Sequence, residues 1–124
     1  MDLPRLYSEI RQRFPAITEK ADRRYLKDWN EFDHDDPYSW FQSLANALNA
    51  EMSRDIDYQM HRDLFEFIAV ALGDATEEAY RCIDVSFVEN LFWQVPAHKS
   101  EPYWRKLPEP LRLLYLEFHR RSPL

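Results

Sequence analysis

The sequence predicts an all-α domain, and three observations carry that prediction. Gly73 is the only glycine in 124 residues, against a usual share near 7%. Sandwiches and barrels need many tight turns, and tight turns need glycine or asparagine. Eight prolines supply the punctuation instead, most of them where a helix would begin or end. Apolar residues also recur at spacings of three and four along most of the chain. The expected architecture is one domain, residues 1–124, built as a compact bundle of about six helices around a buried central helix at about 74–93.

The elements follow in order. A first helix from Pro4 to Arg13 carries Leu3, Leu6, Tyr7, Ile10 and Phe14 on one stripe, and Pro15 ends it. Thr18 is expected to cap a second helix through about Glu31, with Ile17, Ala21, Tyr25, Trp29 and Phe32 on its inner face. After the loop Glu31–Asp36, Asp36 and Pro37 read as an N-cap and a first-turn proline. The third helix then carries Tyr38, Phe41, Leu44, Ala45, Leu48 and Met52. Ser53–Asp57 reads as a turn. The fourth helix runs through Leu72, with Gly73 as its left-handed terminus.

Asp74 and Glu77 are then placed for a capping box. In the central helix Tyr80, Ile83, Phe87 and Leu91 share a face, with Val85, Val88 and Phe92 nearly opposite. A helix that is apolar in several directions is expected inside the bundle. Val95–Pro108 holds three prolines and reads as an irregular connection, pinned by Tyr103, Trp104 and Leu107. Pro110 opens a last helix with Leu111, Leu114, Tyr115 and Phe118 on one side.

Composition excludes several classes. A chain with 45% hydrophobic residues can bury a core of its own. One cysteine excludes an internal disulfide framework and a Cys-rich zinc site. The first residues lack a basic start and an apolar run, and no apolar segment reaches the length of a membrane span. The expected address is cytoplasmic.

Charge is distributed unevenly. Residues 31–89 hold 14 acidic and 3 basic side chains, while both flanking segments are net basic. Part of this follows from helix starts, because acids cap helices and suit the first turn. The rest points to an electronegative surface that steers a basic partner protein. Its expected members fall in two groups, Asp33, Asp35 and Asp36 with Tyr38 and Trp40, and Glu51, Asp55 and Asp57 with Tyr58. Helix three separates them by about 25 Å. Direct nucleic-acid binding is disfavoured, since phosphates require a basic footprint.

No stretch carries a catalytic, cofactor or metal motif, and the chain is expected not to be an enzyme. Asp33-His34-Asp35-Asp36 crowds ligand-type side chains but lacks the glycine and terminal glutamate of a calcium loop. The histidines at 34, 61, 98 and 119 form no i, i+4 pair. Serine elbows and phosphate loops need glycines that this chain does not have. Cys82 reads as a buried, inert thiol. On the central helix, Asp84, Glu89 and Asn90 need partners. Either an arginine such as Arg81 or Arg112 pairs with the acids, or they line a pocket with a raised pKa.

The run Ile83–Leu91, followed by Leu107-Pro108 and then Leu111 and Leu114, resembles a group of small helical bacterial proteins. Some of these look like immunity proteins, the antidotes to bacterial toxins. The likeness covers about the last 40 residues. It implies a helical fold with Phe87, Leu91 and Leu111 in the core, Glu89 as a structural or partner-facing acid, and no catalytic residue. The expected function is thus neutralisation of a basic bacterial toxin by protein–protein contact, with no cofactor and no metal. The alternatives are a helical regulatory or adaptor protein with another partner, or a small-ligand domain with a pocket beside Asp84.

Overall fold

The computed structural model describes residues 1–124. It contains seven α-helices and no strand: α1 (Leu3–Arg13), α2 (Pro15–Trp29), α3 (Pro37–Ser53), α4 (Arg62–Gly73), α5 (Glu77–Arg81), α6 (Ala97–Lys106) and α7 (Glu109–His119). One cluster of 31 buried apolar residues runs from Leu3 to Tyr115. No helix is long and apolar enough to cross a membrane.

The organising element is α3 rather than the segment at 74–93. Ten of its 17 residues are buried, and it packs against α1, α2, α6 and residues 82–90. Its sequence explains this, because Ala45, Ala47 and Ser43 let neighbours approach while Trp40, Phe41, Leu44 and Leu48 fill the space. A chain of aromatic contacts crosses the molecule from Tyr7 through Trp40, Phe41, Phe87 and Phe65 to Tyr103.

Residues 77–90 wind in three gauges. The α-helical Glu77–Arg81 passes into a π-helical Cys82–Phe87, and a 3-10 turn at Val88–Asn90 ends the segment. The wider turn carries Cys82, Ile83, Phe87 and Val88 onto the core and leaves Val85 and Tyr80 exposed. A uniform helical repeat therefore places Tyr80 and Val85 in an interior they do not occupy. Thr76 caps α5, accepting from Ala79 N at 3.3 Å, and Asp74 instead closes α4.

Other boundaries also differ from the sequence pattern. Proline at the first turn starts α2 three residues before Thr18, which is buried with an unpartnered hydroxyl. Residues 97–106 form α6 despite Pro102, whose missing N–H interrupts the helix only locally. Gly73 has no positive φ; left-handed backbone occurs at Asn30, Asp55, Phe92, Gln94 and Arg120.

Phe92 and Gln94, with φ of 68° and 57°, cost on the order of 1–3 kcal/mol each. Buried Asn49 holds this loop in place. Its Nδ2 donates to Asn90 O at 2.8 Å, and its Oδ1 accepts from Phe92 N at 2.7 Å. One amide thus satisfies two loop groups that no strand or helix serves.

Candidate functional site: an acidic cleft beside the 33–36 loop

The loop between α2 and α3 is shaped by its own acids. Asp33 Oδ1 accepts from Asp35 N at 2.8 Å, a local turn that aspartate favours. Asp36 caps α3 through Ser39 N at 3.2 Å, and its other oxygen accepts from Tyr25 OH at 3.2 Å. Asp33 and Asp35 remain exposed, whereas Asp36 and Tyr38 are half-buried. None of the three aspartates has a cationic side chain within ion-pair distance.

Tertiary packing then builds a cleft of about 520 Å³ against this loop. Leu3, Pro4, Tyr7, Ser8 and Arg11 of α1 form one wall, His34, Asp35 and Pro37 another, and Glu78 of α5 closes the side. Glu78 makes no ion pair, unlike neighbouring Glu77, which meets Arg81 at 3.3 Å. Burial pushes the Tyr38 phenol upward, and the Glu78 charge adds to the effect. The cleft thus brings Asp35 together with Glu78, and Asp33 and Asp36 lie on the adjoining loop; none of the four is in an ion pair.

The floor is rigid. Tyr7 OH lies 2.7 Å from His34 Nδ1, and burial pushes the phenol up to about 12. The phenol can donate to Nδ1 when the ring proton sits on Nε2. Beneath, Arg11 forks onto Asp22 at 2.8 and 2.9 Å among the rings of Tyr7, Phe32 and Trp40. Trp40 Nε1 donates to the same Asp22 at 2.8 Å. Trp40 is fully buried, so it anchors the floor and offers no surface to a partner. That corrects its assignment to the exposed group.

The second acidic group is arranged differently. Glu51 is buried, with Lys20 Nζ at 3.0 Å, His61 Nε2 at 3.1 Å and Arg54 at 3.6 Å. Burial pushes its carboxyl up, but the Lys20 hydrogen bond and charge, aided by His61, outweigh this and leave it below the usual range. Burial lowers His61, and Glu51 only partly offsets that. A neutral imidazole donating Nε2–H fits this arrangement.

Asp55 meets Lys99 at 2.9 Å, and Asp57 caps the 3-10 turn Tyr58–Met60 through Gln59 N at 2.8 Å. Tyr58 is buried and stacked on Phe65, ring centroids 5.4 Å apart. Glu51 and Tyr58 therefore join Trp40 as interior side chains. Periodicity along one helix could not reveal this, because Lys20, His61 and Phe65 come from other elements.

Asp84 and Glu89 find no arginine. Burial pushes the Asp84 carboxyl up and Glu117 adds to it; Glu89 is raised by burial and then by Asp84. Arg81 is engaged with Glu77. Burial also pushes the Cys82 thiol up to about 12, which leaves it protonated and unreactive at neutral pH. No group of three His, Cys, Asp or Glu side chains lies close enough to hold a metal ion.

Sequence reasoning missed Tyr7, His34 and Glu78 as members of the cleft. His34 lay inside the singled-out loop, but nothing local ties the loop to α1 and α5. No curated protein and no solved structure matches the chain. A family model does match residues 7–121, nearly the whole chain, and the protein therefore belongs to the family described as a domain of unknown function, DUF7674.

Proposed function

We propose that this protein is a non-catalytic binding protein that inhibits a basic partner, of the kind an immunity protein presents to a bacterial toxin. The observation that supports the reading is a cleft lined by Asp35 and Glu78, neither of them in an ion pair, beside a loop that also carries the unpaired Asp33 and Asp36, while the one cation in the lining, Arg11, is engaged by Asp22. Fixed negative charge around a concave surface raises the encounter rate with a basic protein and favours the insertion of a lysine or arginine side chain. The rigid floor means that little order has to be gained on binding.

The test is affinity capture from the native cell at low and then high salt. A basic protein retained at stoichiometric amount, released by salt and by Asp35→Lys with Glu78→Lys, is the expected result. Its toxicity when expressed alone separates the antidote from an adaptor. Capture that survives both substitutions overturns the acidic-face reading.

A further inference from the structure

Trp93 is held outward by the strained loop at Phe92 and Gln94, and Asn49 fixes that loop from within. Its indole is 62% exposed, an unusual setting for a tryptophan on backbone that a core amide clamps in a disfavoured conformation. Trp93 and Gln94 form the ridge between two clefts of about 460 and 400 Å³. On one side lie Arg24 and Arg54 with Asn46 and Asp28. Across the ridge lie Arg121 and His119 with Glu89.

The cations here are available. Arg24 and Arg121 make no ion pair, and Arg54 reaches Glu51 only at 3.6 Å with its side chain 67% exposed. The indole is therefore flanked on both sides by arginines with unused donors, in a chain whose net charge is −6. Tryptophan and arginine together are the side chains that dominate interface hot spots.

We propose that the Trp93 ridge is a second docking site, for an acidic peptide segment of a partner protein. An apolar side chain of that segment lies on the indole, and its carboxylates meet Arg24 and Arg54 in the bidentate geometry that guanidinium groups favour. Asp28 and Glu89 in the same clefts leave only a small excess of positive charge, which suits a short segment with one or two carboxylates better than the dense charge of a polyphosphate backbone. The site shares no lining residue with the acidic cleft, and its three arginines outnumber its two acids.

The test is selection of a displayed random peptide library on the full-length protein, followed by fluorescence anisotropy with the selected peptides. Wild type is expected to enrich peptides with an apolar residue flanked by Asp or Glu. Trp93→Ala and Arg24→Glu should each weaken those peptides by about tenfold or more. Asp35→Lys with Glu78→Lys should leave them unchanged. Circular dichroism of each variant checks that the helices persist. No acidic enrichment, or full affinity in a folded Trp93→Ala or Arg24→Glu protein, overturns the proposal.

Discussion

The two acidic segments, 33–36 and 51–57, carry three carboxylates each and have different fates. At 33–36 the carboxylates bond only to backbone N–H groups and one phenol, so their charge stays on the surface. At 51–57, Glu51 and Asp55 each meet a lysine, and Glu51 meets a histidine as well. Asp57 has no ion partner but caps a turn. A count of acids along a chain therefore does not give a surface potential. What packs against each carboxylate decides whether its charge is left for a partner.

The largest effects should come from the residues that hold the acidic face in shape. Trp40→Ala removes a fully buried indole and one of the two donors to an Asp22 oxygen that Arg11 also holds; a loss of about 3–5 kcal/mol is expected in denaturant melts. Phe87→Ala, in the same aromatic chain, should cost a similar amount. A near-neutral result at Trp40 would mean that the loop does not rest on the floor described.

Next is Glu51. Glu51→Gln leaves Lys20 without its counter-charge and should cost about 1–3 kcal/mol at neutral pH. Its folded carboxyl lies below its usual value, so its stabilising contribution is complete above the unfolded value of about 4.3. That contribution is lost as pH falls through the folded value. The gap between wild type and variant should therefore close in acid. A gap independent of pH would contradict the buried ion network.

Asp84 should show the opposite sign. Its folded carboxyl is raised, so ionisation at neutral pH works against the fold, and acid relieves it. Asp84→Asn is expected to stabilise the protein by less than about 1 kcal/mol at pH 7, with the benefit fading as pH falls. Thermal melts at two pH values decide the sign. Smallest in stability are Asp35→Lys and Glu78→Lys, each within about 0.5 kcal/mol, because neither is paired. A marked loss of stability there would show that the face has a structural duty.

Much of the helical fold was legible because proline and capping signals are local. Pro4, Pro37 and Pro110 stand in first turns as their covalent chemistry favours, whereas α3 showed only its stripe of Phe41, Leu44, Ala45, Leu48 and Met52 and not the burial of Trp40, Asn49 and Glu51. The change of helical gauge at Cys82 was not legible, since a hydrophobic repeat assumes one constant rotation per residue. Asp33, Asp35 and Asp36 were readable as acids near a helix start. Glu78 was not, because only folding brings α5 beside that loop. The burial of Glu51 was hidden for the same reason: its partners Lys20 and His61 lie 31 and 10 residues away.

The most direct measurement is an NMR titration of the ¹⁵N-labelled protein with an oligo-lysine peptide, read residue by residue. Shift changes centred on Asp33–Pro37 and Glu78, with little response from Arg54–Tyr58, are the predicted result, and they should fade as salt is raised. Equal responses from both acidic segments, or none at the 33–36 loop, would contradict the account.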